Sequence, residues 1–134
     1  MRSKSRECAF KIIFASLFND GEDGAFRRGV YKSAELGQED IEFAESLVGA
    51  VREHRQELEA LLGEYSVGFS AERLFPADKS VLMLAMAEIK FVGGTPAIVA
   101  VDEAVGLARK YSAEKSVGFV NGVLASFIAR EDKS

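Results

Sequence analysis

The chain contains very few of the residues that build disulfides and metal sites. Among its 134 residues are one cysteine, Cys8, one histidine, His54, and no tryptophan. A single cysteine excludes an internal disulfide, and one cysteine with one histidine cannot supply the four ligands of a structural zinc site. We therefore predict that the protein holds no metal and needs no cofactor. Cys8 is predicted to be a small packed residue rather than a nucleophile.

Proline and long apolar runs are also scarce. The only prolines, Pro76 and Pro96, leave long stretches of the chain free to form helices. No apolar run is long enough to cross a bilayer, and the amino terminus lacks the pattern of a signal peptide. These absences predict a cytoplasmic protein without membrane association. They also predict a single domain over residues 1–134, large enough to bury a core.

The residue combinations of common active sites are missing as well. Asp102 and Glu103 are adjacent, so on a helix their carboxylates point about 100° apart and cannot share one site. His54 has no evident serine and aspartate partners, and it is predicted to lie at the boundary of a helix's apolar stripe. Gly93-Gly94 lacks the strand and helix that flank a phosphate-binding loop. The sequence favours binding over catalysis, and we predict that the chain is not an enzyme.

Helical periodicity is what the chain does contain. Apolar residues recur three and four positions apart over most of its length, and alternation of period two is confined to very short stretches. We therefore predict an all-α fold with about six or seven helices. The helices are expected at about residues 3–18, 25–35, 39–63, 76–92, 95–111 and 117–128, separated by a turn at 19–24 and an irregular connection at 64–76.

Several side chains suit the starts of these helices or the connections between them. Short polar side chains cap the exposed N–H groups of a helix's first turn, and an apolar residue can fasten a connection to the core. The candidates are Ser3 or Ser5 as the cap of the first helix, Asp78 and Thr95 as caps of two later ones, and Leu74 and Phe75 as anchors.

Charge is distributed unevenly along the chain, whose net charge is −4. Residues 1–11 carry four basic side chains and one acid, and residues 109–134 carry five basic and three acidic side chains. The middle of the chain is correspondingly acidic. This asymmetry is compatible with a basic edge that contacts nucleic acid on an otherwise acidic body, and also with a basic terminus that has no such role.

One aromatic residue lies off the apolar stripe of the last helix. Phe119 follows a short polar turn at 112–116 and is close in sequence to Lys115. It could be buried in a wide core or in a subunit contact. It could equally form an exposed platform on which an unpaired base stacks. Helical spacing alone does not distinguish these interpretations.

Several runs of the sequence resemble the NusB family of transcription antitermination factors. They are Val101-Asp102-Glu103-Ala104-Val105, Ala108-Arg109-Lys110-Tyr111 and Gly118-Phe119-Val120-Asn121-Gly122-Val123-Leu124, together with Arg6-Glu7-Cys8-Ala9 and the helix that contains Asp78, Lys79, Leu82, Ala85 and Glu88. The resemblance implies two packed antiparallel three-helix bundles.

The resemblance also implies a function. Members of the family bind the boxA element of nascent ribosomal RNA transcripts together with the small-subunit ribosomal protein NusE, and the complex helps RNA polymerase to read through terminators. Carried over by position, the RNA surface would consist of charged residues on the backbone and aromatic residues against bases. These residues are Arg2, Lys4, Arg6, Lys11, Tyr65, Lys115 and Phe119.

This sequence departs from the family pattern at a few positions. Met83 replaces an arginine and Ala87 a tyrosine, which makes that helix more apolar, and Glu88 is expected to be a structural hydrogen-bonding group. Ser3 and Ser5 interrupt the basic amino terminus. Lys115 stands where relatives often have Asp or Asn, and our hypothesis is that it partly replaces the missing phosphate contact.

Two other functions are consistent with the residues. One is an RNA-targeting module of the kind fused to ribosomal RNA methyltransferases, although the end of the chain at Ser134 favours a free-standing factor. The other is a helical adaptor for proteins, or a homodimer, that uses the flank formed by Phe10, Phe14 and Phe18. The adaptor predicts no salt-sensitive affinity for RNA.

Overall fold

The computed structural model describes residues 2–19, 24–66 and 74–131. Within these ranges it contains seven α-helices and a π-helical segment, and no strand. None of the described helices is both long enough and apolar enough to span a membrane. The helices are α1 (Arg2–Ser16), α2 (Gly24–Ser33), α3 (Gln38–Glu53), α4 (Arg55–Tyr65), α5 (Pro76–Ala87), the π-helical segment Glu88–Val92, α6 (Ala97–Tyr111) and α7 (Ser116–Glu131).

The first bundle consists of α1, α2 and α3. The Ser5 hydroxyl donates to the carbonyl of Asp40 at 2.9 Å, so the starts of α1 and α3 lie together. Tyr31, near the end of α2, donates to Glu45 in the first half of α3 at 2.7 Å. The end of α2 therefore lies beside the start of α3, and α2 runs antiparallel to its two neighbours.

The second bundle consists of α5, α6 and α7. Asp78 at the start of α5 accepts hydrogen bonds from Ser112, directly after α6, and from Ser116 at the start of α7. At the opposite end, Lys90 pairs with Glu131 at the end of α7 at 3.5 Å. Helix α6 therefore runs opposite to α5 and α7. The predicted all-α fold with two antiparallel three-helix bundles is confirmed.

Helix α5 lies in the middle of the molecule, in contact with α1, α3, α4, α6 and α7. Every residue from Ser80 to Glu88 is buried, so the helix has no solvated face. A helix that is apolar all round is stable only when it is enclosed. Met83 and Ala87, which depart from the family pattern, are both fully buried and fill this core.

The long helix predicted over 39–63 is wrong, because it is interrupted at His54. There the backbone leaves the helical region, with φ −109° and ψ 23°, and α4 begins at the next residue. The imidazole lies flat against the ring of Phe91, with centroids 3.6 Å apart and planes at 6°. The break lets α4 take its own direction and pack on α5 and α7.

The predicted caps are also wrong: Ser3, Ser5 and Asp78 have tertiary partners instead, and Thr95 lies outside the cap position. Helix α1 already begins at Arg2, so Ser3 and Ser5 lie inside it. Asp78 is in the first turn of α5, where it accepts from serines of the second bundle. Helix α6 begins one residue later than expected, with Pro96 rather than Thr95 at the cap position and no side-chain cap.

The two predicted anchors differ from each other. Leu74 is buried, as expected, whereas the side chain of Phe75 is 59% exposed and is not an anchor. The rest of the predicted connection lies partly at 67–73, and the predicted turn at 19–24 lies mostly at 20–23. Both stretches are outside the described residues.

Candidate nucleic-acid interface

One face of α1 carries exposed cations followed by aromatic rings. Lys4, Glu7, Lys11, Phe14 and Phe18 are spaced three and four residues apart, which places them along one side of the helix and its final turn. Both lysines are exposed, Phe14 is half-buried and Phe18 is 62% exposed. The face thus offers positive charge at one end and apolar rings at the other.

Phe10 and Arg2 lie on other sides of α1. Phe10 is buried in the core, and its ring stacks on Tyr111 of α6 with centroids 4.8 Å apart. The flank proposed for an adaptor therefore consists of Phe14 and Phe18 only. Arg2 is exposed, and its guanidinium lies 4.2 Å above the ring of Phe43, which gives it a defined position at the start of the helix.

The structure places Arg6 in the interior, which corrects its expected place on an accessible RNA surface. Its guanidinium donates to both carboxylate oxygens of Glu88, at 2.8 and 2.6 Å, and to Glu103 at 3.2 Å. Arg6 is 4% exposed and Glu88 is 1% exposed. The bonds to Glu88 raise the pKa of Arg6 above its ordinary value. Glu88 is a structural hydrogen-bonding group, as predicted, and because it directly follows Ala87 the pair ties α1 to the end of α5.

Beside this pair, Glu7 of α1 connects to the end of α6. Its Oε2 accepts a hydrogen bond from Lys110 Nζ at 2.6 Å and another from the Tyr111 hydroxyl. Burial by itself raises the pKa of Glu7, but the hydrogen bonds from Lys110 and Tyr111 and the nearby charge of Lys11 outweigh it. The pKa of Glu7 therefore lies below its ordinary value, and the carboxylate is ionised at neutral pH.

Lys115 is exposed on the turn between α6 and α7. Hydrogen bonds to α5 hold this turn in position, because buried Asp78 accepts one from Ser112 and another, at 3.0 Å, from Ser116. Four residues later, Phe119 is half-buried and packs against the core. Phe119 is therefore partly buried by the core and partly accessible to solvent.

Tyr65 lies at a different place. Its half-buried ring is nearly perpendicular to the ring of Phe127, with the two ring centroids 5.7 Å apart. The Arg130 guanidinium lies 5.4 Å from the centroid of the Tyr65 ring. Phe127 and Lys115 are at opposite ends of α7, twelve residues apart, which corresponds to about 18 Å along a helix. The structure therefore does not bring Tyr65 next to Lys115, and an RNA that touched both would have to follow α7.

Two residues of this edge were missed by the sequence analysis. Lys110 and Tyr111 meet α1 at Glu7, and Lys110 is 63% exposed. Both belong to a run that carries the family resemblance, so their position in a motif with basic residues at the end of α6 was an available signal. A groove of about 610 Å³ also opens between α1 and α2. Its lining includes Lys4, Glu7, Lys11, Phe26, Val30 and Ser33.

Comparison with known proteins shows which family the chain resembles over nearly its whole length. The model of the NusB family matches residues 3–129. The transcription antitermination protein NusB of Agathobacter rectalis is 39% identical over 128 residues, which cover 94% of this chain and 98% of that protein. The solved structure of T. maritima NusB is similar with a TM-score of 0.83 at 29% identity, and covers 94% of this chain and 89% of that one.

A second solved structure contains a partner and RNA. The crystal structure of the antitermination factors NusB and NusE in complex with dsRNA is similar with a TM-score of 0.84 and 25% identity, over 93% of each chain. The family match extends over nearly all of the described residues, and the relatives are similar along their whole lengths. The chain belongs to the NusB family.

Proposed function

We propose that this protein is a transcription antitermination factor. In this proposal it binds boxA-type single-stranded RNA of nascent ribosomal transcripts together with the ribosomal protein NusE, and the complex promotes read-through by RNA polymerase. The observation that carries the proposal is the similarity, over nearly the whole chain, to proteins named for antitermination and to a NusB solved with NusE and RNA. The protein would act in the cytoplasm as a binding factor and not as an enzyme.

The exposed cations supply the backbone contacts in this proposal. Lys4 and Lys11 on α1 and Lys115 on the following bundle are solvent-exposed, and Arg2 is positioned by Phe43. Lysine and arginine side chains bind phosphates without reading sequence, so these residues would orient the RNA. Arg6 supports the surface from within, because its pair with Glu88 holds the basic end of α1 against α5.

The half-buried aromatic residues supply the base contacts. Phe119 and Tyr65 are half-buried and pack against the core, which restricts their rings and lowers the entropy cost of stacking a base on them. We assign Phe119 to the RNA segment beside Lys115 and Tyr65 to a segment farther along α7. Phe119→Ala is therefore expected to weaken binding without changing its salt dependence.

The test is fluorescence anisotropy with a labelled boxA-type RNA and a scrambled RNA of the same composition. Binding is measured at two salt concentrations, with and without NusE. Salt-sensitive binding that prefers boxA and tightens with NusE is the expected result. If neither RNA binds in any of these conditions, the proposal fails.

Lys115 allows a sharper comparison within this test. Lys115→Glu reverses a charge at an exposed position of the turn, so we expect binding to weaken several-fold and the salt dependence to become shallower. Lys32→Glu, at an exposed position of α2, makes the same change in net charge and serves as the control. If Lys115→Glu binds the boxA-type RNA with unchanged affinity, this lysine does not contact a phosphate.

The protein-binding adaptor or homodimer remains the competing explanation for exposed Phe18. Sedimentation of the same preparation separates the two functions, because a homodimer shows a mass that rises with concentration. If Phe18 lies outside the RNA surface, Phe18→Ser should leave the RNA affinity unchanged. If Phe18 forms no subunit contact, the mass measured by sedimentation should also stay unchanged.

A further inference from the structure

Glu7 occupies a position that suits a phosphate group. One of its carboxylate oxygens accepts from both Lys110 Nζ and the Tyr111 hydroxyl, a lysine and a hydroxyl converging on a single anionic oxygen. Lys4 and Lys11 flank it on the same face of α1, three residues before and four residues after. Lys110 thus pairs with this carboxylate, two further lysines share its face of α1, and Glu7 is the only acid in α1.

The strength of these interactions indicates which of them can exchange. Lys110 is 63% exposed and Glu7 is 25% exposed. An exposed lysine–carboxylate pair contributes little to stability, because water and salt screen it and the long side chain loses freedom. Lys110 can therefore leave Glu7 at low cost. Glu7 would keep the hydrogen bond from Tyr111, whose ring is held in place by stacking on Phe10.

We propose that Glu7 is an internal competitor for the RNA backbone and that Lys110 is a phosphate-binding residue which exchanges Glu7 for a phosphodiester when RNA binds. The proposal deepens the proposed function and rests on it. In the free protein the carboxylate neutralises part of the α1–α6 edge and holds Lys110 away from other anions. In the complex Lys110 turns outward to the phosphate, between Lys4 and Lys11.

The exchange makes Glu7 a determinant of affinity and selectivity. A weak or poorly positioned anion does not compensate for breaking the ion pair between Lys110 and Glu7. An RNA backbone that already engages Lys4 and Lys11 compensates for breaking this ion pair, because its next phosphate reaches Lys110 without a further entropy cost of association. Glu7 is therefore expected to weaken the binding of all RNA, and to weaken that of non-cognate RNA most.

The experiment compares Glu7→Gln with Glu59→Gln in RNA titrations of the full chain. Glu59 pairs with Lys79 at 2.5 Å between α4 and α5 and more loosely with Arg55 at 3.7 Å, so its substitution also removes one acid and releases a lysine, away from the α1–α6 edge. We expect Glu7→Gln to tighten binding of the boxA-type RNA by roughly threefold or more at low salt. The scrambled RNA should gain more than the cognate one, and Glu59→Gln should change neither by a comparable factor.

Lys110→Gln supplies the second arm. It should weaken binding and reduce the slope of log affinity against log salt by about 0.7, the value for one phosphate contact on a single strand. In the Lys110→Gln background, Glu7→Gln should increase RNA affinity much less than it does in wild type, because Glu7 affects RNA binding by pairing with Lys110. Circular dichroism checks that every variant is folded.

The outcomes separate this inference from the proposed function. If the wild-type chain binds boxA-type RNA but Glu7→Gln binds no tighter than Glu59→Gln, the competitor role is overturned while the proposed function stands. The same holds if Lys110→Gln leaves the salt slope unchanged. If the wild-type chain binds no RNA, both proposals fail together.

Discussion

At the scale of single residues, the buried pair of Arg6 and Glu88 holds α1 in position. Two parallel hydrogen bonds join the planar guanidinium to the carboxylate, and both side chains are almost fully buried. Such a pair adds little net stability when it is compared with apolar residues of the same volume, but breaking it leaves a charge without a partner. Its value here is to fix α1 on α5, and with it the position of Lys4 and Lys11.

Removal of one partner should therefore be severe. Glu88→Ala leaves the Arg6 guanidinium buried with only the contact to Glu103 at 3.2 Å, and we expect the free energy of unfolding to fall by roughly 3–5 kcal/mol. Urea denaturation measures this change. The double variant Arg6→Met with Glu88→Leu removes both charges and should be closer to wild type. A decrease below about 1 kcal/mol in Glu88→Ala contradicts the assignment.

The ionisation of Glu7 gives a pH dependence with a definite sign. The folded-state pKa of Glu7 is lower than its ordinary value, so its contribution to stability is fully present above the unfolded pKa. That contribution disappears as the pH falls through the folded pKa. Wild type should consequently lose more stability than Glu7→Gln as the pH falls below the ordinary glutamate pKa of about 4.3. Urea unfolding at several pH values from neutral to acidic measures the difference, and parallel curves would contradict it.

At the scale of helices, the turn between α6 and α7 depends on a residue of α5. Asp78 is 4% exposed and accepts from two serines that flank the turn, one of them the buried Ser116. The carboxylate also lies near the amino-terminal end of α7, where a negative charge is favourable. The turn that presents Lys115 is therefore positioned by the second bundle's own core.

Substitution of Asp78 should affect both stability and the turn. Asp78→Ala leaves the buried Ser116 hydroxyl without its acceptor and Ser112 with only its bond to Ser116 Oγ at 3.1 Å, and we expect a decrease of roughly 1–3 kcal/mol in the free energy of unfolding. Thermal and urea denaturation measure it. Asp102→Ala, at an exposed position of α6, is the matched control and should stay within about 0.5 kcal/mol of wild type. Equal decreases in the free energy of unfolding for the two variants would show that Asp78 does not stabilise the turn.

At the scale of the whole molecule, the relevant property is how charge is distributed and not its total. The chain has a net charge of −4, yet its exposed lysines at the start of α1, at the end of α6 and on the α6–α7 turn face solvent. Acidic side chains cover other helices, such as the exposed Glu39, Glu42 and Glu45 of α3. The acidic body should repel RNA except along the basic edge, which favours one orientation.

This distribution predicts the salt dependence of binding. If Arg2, Lys4, Lys11, Lys110 and Lys115 each contact one phosphate, log affinity should fall against log salt with a slope of about −3.5 on single-stranded RNA. Anisotropy titrations from about 50 to roughly 300 mM salt measure it. A slope near zero would indicate that binding does not depend on these cations, despite their exposure.

How far the sequence predicted the molecule differs between fold and site. The helices, the absence of strands in the described part and the two bundles followed from apolar periodicity and from motifs such as the run at 118–124. The continuous helix over 39–63 was wrong, because spacing cannot reveal that the ring of Phe91 lies against His54 and that α4 needs another direction. For the site, Lys4, Lys11 and Lys115 are exposed as an RNA surface requires, whereas Arg6 is not.

What the sequence by itself determined was the set of amphipathic helices and the family, since both depend on residues that are close together in the chain. Tertiary structure alone decided which charges are available. Arg6 became interior because Glu88, 82 positions away, meets it in the core. Lys110 joined the α1 edge because Glu7, 103 positions away, accepts its hydrogen bond. A charged side chain is available to RNA only if no partner inside the protein holds it, and that partner is determined by how the helices pack.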